Sequence, residues 1–279
     1  MTTILVPYHQ DEQLAAGDIP VRADITVGAE LPEGDVWRRL AGVCDATASA
    51  VAPVVAAGGV PMVFSGDCLL AGGTLAGVQR AGLDPAVVWF DAHGDVHTLQ
   101  TSTSGYLGGL SVRLLTGAHL DLYSDVFGLH PVAPERVVLV DARDLDLAEA
   151  EYLAGSATRR IQVDEVAADA VPAGPLLLHV DVDVIDAGAV PALRFPAPDG
   201  PSVDSVLGAC GRLLATGRVV AFDVACPWWP TDSDDHRDTR TQLLSRLAAL
   251  SRPLGPTGWP VRSRSVLADR GTGVGGSNR

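Results

Sequence analysis

Short, near-continuous apolar runs alternate along this chain with longer segments in which apolar residues recur every three or four positions. The runs over residues 3–6, 60–64, 86–90, 136–140, 176–180 and 218–224 read as buried strands, with a briefer one around 160–163. Between them, 35–57, 69–80, 110–115, 147–153, 202–215 and 238–250 read as helices. Gly58-Gly59 stops the first long helix, because glycine takes the left-handed conformation that closes helix ends. Repeated alternation with strands apolar on both faces predicts an α/β fold, a mainly parallel sheet covered by helices on each side. From Arg252 onward the chain turns rich in Pro, Gly, Ser and Arg. One α/β domain is therefore expected over 1–251, and a mobile tail over 252–279.

Two acidic clusters follow two of the apolar runs: Asp91-Ala92-His93-Gly94-Asp95 after Ala86-Val87-Val88-Trp89-Phe90, and Asp181-Val182-Asp183 after Leu176-Leu177-Leu178-His179-Val180. Side chains two apart on an extended segment point the same way, so Asp91, His93 and Asp95 are expected to converge, as are Asp181 and Asp183. Carboxylates gathered this way repel one another unless a cation sits among them. Carboxylate oxygen and imidazole nitrogen are donors that Mn, Fe and Zn ions accept. Ligands of parallel sheets collect at the carboxyl ends of the strands, where both clusters fall. Solvated loop acids would explain one such cluster, but explain two at strand ends poorly.

Composition narrows the functions. Of the 279 residues 47% are hydrophobic and 19% charged, which suits a large buried core. The formal net charge of −14 argues against nucleic acid, which needs a basic face, and an acidic cleft favours a cationic substrate. Every basic residue is arginine, which excludes a lysine Schiff base and a P-loop lysine. The four cysteines (Cys44, Cys68, Cys210, Cys226) form no C-x-x-C pair. No secretory signal is read, and no apolar segment is expected to reach the ~20 residues that span a bilayer. A cytoplasmic protein with reduced thiols and no membrane partner is expected.

Five passages in order resemble the arginase/agmatinase ureohydrolases: Phe64-Ser65-Gly66-Asp67-Cys68, the Asp91–Asp95 segment continuing through Val96-His97-Thr98, Ser104-Gly105-Tyr106-Leu107-Gly108-Gly109, Arg143-Asp144-Leu145-Asp146, and His179-Val180-Asp181-Val182-Asp183-Val184-Ile185-Asp186. The resemblance implies a three-layer α/β/α fold and two manganese ions that hydrolyse a guanidine group through a bridging hydroxide. It implies Asp91, His93, Asp95, Asp181 and Asp183 as metal ligands, with Cys68 where the family usually has a further histidine. Asp95 is then also the proton-transferring residue, and His97, Ser104 and Asp146 are the substrate contacts.

Three departures accompany the likeness. Cys68 brings a softer donor, so Zn2+ or another divalent ion competes with Mn2+. Gly108 stands where arginases carry a proton-relaying histidine, and Cys226 where a glutamate usually meets the guanidinium. The first two resemble the branch of the family that acts on N-hydroxylated arginine; the third does not. The expected activity is cleavage of a linear C–N bond in a small cationic guanidino compound of the arginine or N-hydroxy-arginine type. The alternatives are an arginase-fold protein with impaired catalysis that binds a ligand or supports an assembly, and a one-metal deacetylase-like hydrolase. Whether the chain forms a homo-oligomer stays open. The resemblance also sets the strands before Cys68 and Cys226 side by side, leaving open two unrelated buried thiols or a pair that closes on oxidation.

Overall fold

The computed structural model describes residues 1–250; the tail expected over 252–279 lies outside the described residues. The first part of the chain forms β1 (Thr2–Val6), β2 (Tyr8–His9), β3 (Glu12–Gln13), β4 (Ile25–Thr26), α1 (Val36–Ala56), β5 (Pro61–Ser65), α2 (Ala71–Arg80) and β6 (Ala86–Asp91). Then follow α3 (Ser111–Leu115), α4 (Ser124–Phe127), β7 (Val137–Asp141), α5 (Leu147–Gly155), β8 (Arg159–Ile161), β9 (Leu176–Asp181), α6 (Val203–Leu214), β10 (Val219–Ala225) and α7 (Asp234–Ala249). Eight strands pair in the order β4-β1-β5-β10-β9-β6-β7-β8, every pair parallel, and β2–β3 make a small separate hairpin. All carboxyl ends of the main sheet therefore share one edge.

Alternation along each strand feeds two cores. Val63, Trp89, Leu139 and Leu177 pack with α1 and α2 on one face, and Phe64, Phe90, Val140 and Val180 pack with α6 and α7 on the other. This is the expected three-layer α/β/α arrangement. The helix pair α1–α2 sits close because a Cβ on Gly73 would lie 2.7 Å from the Cys44 carbonyl oxygen, and one on Gly77 2.6 Å from Val51 Cβ. Small residues there let the backbones approach, and any larger residue would push the helices apart.

Several sequence expectations need correction. The two-residue strands β2, β3 and β4 and the four-residue α4 are too short to leave a periodic signature. Helix α7 begins at Asp234, ahead of the expected 238, because Ser233 caps it by accepting from His236 N at 3.4 Å and Asp234 and Asp235 fill its first turn. Among the described residues one helix, α1, is long and apolar enough to cross a bilayer by length and composition, contrary to the expectation that no segment is. Its residues Leu40, Val43, Cys44, Val51 and Val55 are buried in the core on α2 and the sheet.

Candidate active site

Strands β6 and β9 are neighbours, with Phe90 opposite Val180, so Asp91 and Asp181 end side by side. Beyond them neither segment stays extended. His93 N donates to Asp91 Oδ1 at 2.7 Å, and Asp95 takes a left-handed conformation with φ 54°. After Asp181 the chain enters a 3-10 turn over Val182–Val184, in which Asp183 N donates to Asp181 Oδ1 at 2.8 Å. The acidic groups thus converge through two aspartate-led turns, not through strand alternation as the sequence suggested. Ala92 N donates to Asp183 Oδ1 at 3.2 Å and ties the turns together. Cys68 opens a 3-10 turn just past β5, where Asp67 caps it by accepting from Leu69 N at 2.9 Å.

Every site residue expected from the sequence lines one cleft of about 300 Å³ over these strand ends. Cys68 Sγ lies 2.8 Å from Asp181 Oδ2 and 3.8 Å from Asp91 Oδ2. His93 Nδ1 lies 3.1 Å from Asp183 Oδ2 and 3.3 Å from Asp91 Oδ1. Burial raises Asp181 and Asp95 well above the usual carboxylate range, and the nearby Asp183 and Asp91 charges add to it. Asp183 is pushed up to about 6 by burial and by Asp91. For Asp91 burial is outweighed by the hydrogen bond and charge of His93, which hold it below its usual value. His93 rises to about 12: burial opposes its charge, but Asp183 and Asp91 prevail. Burial and Asp181 hold the Cys68 thiol well above its ordinary value.

Such a cluster needs positive charge, and its donors fit divalent ions. Asp95 Oδ2 is buried without a partner, and an unpaired buried carboxylate oxygen is costly unless something binds it. Donor atoms of Asp91, His93 and Asp183 lie within 4.8 Å of one another, as do those of Cys68, Asp91 and His179. Oxygen, imidazole and sulfur together suit Mn2+ or Zn2+.

Toward the cleft mouth His97 Nε2 lies 3.0 Å from Asp146 Oδ2. Asp146 also caps α5, accepting from Glu149 N at 3.0 Å, and Glu149 is buried beneath it. Burial raises the Glu149 carboxyl, although the His97 charge pulls the other way. Ser104 sits on the rim, its Oγ accepting from Tyr106 N at 3.2 Å. Tyr106 donates to Asp67 Oδ2 at 2.7 Å and stands 3.2 Å from His9 Nε2. Its ring packs on Phe195, centroids 4.4 Å apart, and Phe195 presents its edge to His93.

Sequence reasoning assigned no role to Glu149, Tyr106, Phe195 or His9. Glu149 was within reach, three residues after Asp146 in a capping-box spacing, whereas Phe195, from a loop, and His9, from the two-residue strand β2, carry no local signal. His179, read as a core or supporting histidine, is fully buried, stacked on Trp89 with centroids 3.5 Å apart. Strands β5 and β10 are adjacent, with Ser65 opposite Ala225, but Cys68 and Cys226 pack into opposite cores and both thiols are free.

Fold and cleft together define a three-layer α/β protein with a carboxylate-rich set of candidate metal ligands at the strand ends. The chain belongs to the arginase family, whose profile matches residues 6–248. It is 31% identical over 191 residues to the N(omega)-hydroxy-L-arginine amidinohydrolase of Streptomyces lavendulae, covering 67% of each chain. It is 28% identical over 239 residues to the arginase of Saccharomyces cerevisiae, covering 77% of this chain and 72% of that one. The fold matches the crystal structure of Bacillus cereus arginase with a TM-score of 0.73 at 24% identity, over 90% of this chain and 97% of that one.

Proposed function

We propose that this protein hydrolyses a C–N bond of a guanidino amino acid of the arginine type, with an N-hydroxylated guanidine favoured over guanidine itself. The observation that carries the reading is the cleft: four buried aspartates, an imidazole and a thiol at its floor, and His97, Asp146 and Glu149 at its mouth. Asp91, His93, Asp95, Asp181, Asp183 and Cys68 would hold two divalent ions. When bound, those ions supply Lewis-acid activation of water and of the guanidine carbon.

The chain's own residues do the rest. Asp95 Oδ2, unpartnered and buried, accepts a proton from the attacking water and returns it to the departing amine. The products are then the free amine and urea, or hydroxyurea from an N-hydroxylated substrate. Asp146 and Glu149 take the substrate ammonium, and His97 and Ser104 its carboxylate, which orients the chain down the cleft. The Tyr106–Phe195 wall excludes water from the side facing His93.

Support for the substrate preference comes from Gly108, which lines the cleft and offers no side chain to relay a proton. An N-hydroxyguanidine is less basic than guanidine and depends less on a dedicated relay. Cys226, 1% exposed and without a charge for a guanidinium, favours the second reading, a family member that binds a guanidino ligand without turning it over. Purified protein loaded with Mn2+ or Zn2+ and offered arginine, N-hydroxy-arginine and agmatine tests both. Release of hydroxyurea from N-hydroxy-arginine at a higher kcat/KM than urea from arginine is the expected result. Ligand binding with no product from any of the three would select the second reading.

A further inference from the structure

We propose that His179 is a metal ligand through Nε2, sharing with Cys68 and Asp91 one of the two ions of the proposed function, on which this inference rests. Four observations converge on it. His179 lies inside β9, two residues before Asp181, and is completely buried. Its Nδ1 is 2.8 Å from Asp223 Oδ1, on the neighbouring strand at the directly opposed position. Asp223 Oδ2 accepts from Thr74 Oγ1 at 2.5 Å, so both carboxylate oxygens act as acceptors and the Nδ1 proton faces Asp223. The other nitrogen, Nε2, is buried and has no hydrogen-bond partner.

A buried ring nitrogen left without a partner is costly, so a role for it is to be expected. The Asp223 contact leaves Nε2 with its lone pair free. A metal-binding histidine shows this arrangement, its second nitrogen fixed on a carboxylate that sets tautomer and ring angle. The donor atoms of Cys68, Asp91 and His179 lie within 4.8 Å of one another, close enough to share one ion. Trp89 completes the device. It stacks on the His179 ring at an interplanar angle of 18° and donates from Nε1 to Asp91 Oδ2 at 3.1 Å, so one side chain orients two ligands. Thr74, Asp223 and Trp89 are accordingly positioning residues for this ion.

The set of one sulfur, one imidazole and carboxylates differs from the oxygen-rich surroundings of Asp95 and Asp183. The two ions should therefore be unlike, with the sulfur-bearing position the more zinc-like. Binding there also removes the Cys68 proton, so metal uptake releases acid.

The test is the number of imidazoles on the metals, read by X-ray absorption of the full chain saturated with Zn2+, with affinities from chelator competition. Wild type should bind two ions carrying two imidazoles between them, from His93 and His179. His179→Gln, which keeps an amide facing Asp223, should drop the count to one and weaken a single site by about tenfold or more. Two imidazoles retained in His179→Gln, or one imidazole in wild type with both ions bound, overturns the inference and leaves the two-ion reading standing. If His179→Gln does not fold, His9→Gln and His97→Gln decide together: an unchanged count of two in both assigns the second imidazole to His179, and a fall to one in either removes it. Wild type that binds no divalent ion sinks the proposed function itself.

Discussion

A Cβ placed on Gly108 would lie 2.4 Å from Tyr106 Cε1, so the space beside Gly108 already belongs to the tyrosine ring. The missing histidine of this loop is therefore not a vacancy. Tyr106 is braced by Asp67 and His9 through its hydroxyl and by Phe195 through its ring. Gly108 and Tyr106, two residues apart in sequence, thus form one packing unit.

Gly108→Ala should consequently destabilise the protein by about 1–3 kcal/mol, the usual cost of overpacking a filled site. Tyr106→Ala combined with Gly108→Ala should recover part of that loss, because the methyl then has room. Urea unfolding of the single and double variants measures this. Additive losses would mean that the two residues do not compete for space.

Protons and metal ions should compete for the cluster. Asp183 has a folded value of about 6 against 3.8 for the free group, so its contribution to stability is present below about pH 4 and is lost as pH rises through about 6. His93, raised from 6.5 to about 12, has the same sign: its contribution is complete below about pH 6.5 and fades toward about pH 12. The metal-free protein thus loses stability with rising pH at these groups. Added divalent ions should raise Tm more at about pH 8 than at about pH 5, where protons already occupy the site. Equal Tm shifts at both pH values would show that the ions bind elsewhere.

The strand runs, the parallel sheet and the acidic strand ends were readable in the sequence because buried strands leave contiguous apolar signatures. Asp91 and Asp181 were legible for the same reason: each directly ends such a run. What stayed hidden depends on pairing between distant strands. Nothing near His179 in the sequence announces Asp223 or Trp89, which meet it only through the β9–β10 and β6–β9 registers. The convergence of Asp95 and Asp183 was anticipated for the wrong reason, since turn geometry and not alternation brings them in. Phe195 and His9 come from segments whose positions no local pattern fixes.

At the cleft mouth Asp146 has two duties that a conservative substitution separates. Asparagine caps a helix about as well as aspartate, so Asp146→Asn should keep α5 intact and leave stability within about 0.5 kcal/mol. It removes the charge facing His97 and, in the proposed function, the substrate ammonium. Losing a charge-assisted hydrogen bond of about 1.5 kcal/mol should raise KM for the guanidino amino acid about tenfold, with kcat little changed. Steady-state kinetics with N-hydroxy-arginine tests it. An unchanged KM would take Asp146 out of the substrate site and leave it as a helix cap alone.

The last expectation concerns the choice of ion. Cys68 is 5% exposed, and its sulfur lies 2.8 Å from Asp181 Oδ2 and 3.8 Å from Asp91 Oδ2, within ligand-sharing reach of both. Without a metal, burial and those charges hold the thiol protonated. A cation among the carboxylates removes that penalty and favours thiolate, which prefers zinc over manganese. Cys68→His exchanges soft sulfur for imidazole nitrogen, so manganese should gain on zinc by about tenfold, at the cost of some crowding against Asp181. Competitive loading with both ions, followed by elemental analysis of the desalted protein, gives the ratio for wild type and variant. Cys68→Ser is the companion measurement: a smaller, harder donor in the same place should lower zinc uptake without the crowding. A ratio of manganese to zinc that stays the same in both variants would show that the sulfur touches neither ion and that Cys68 only fills space under the cleft.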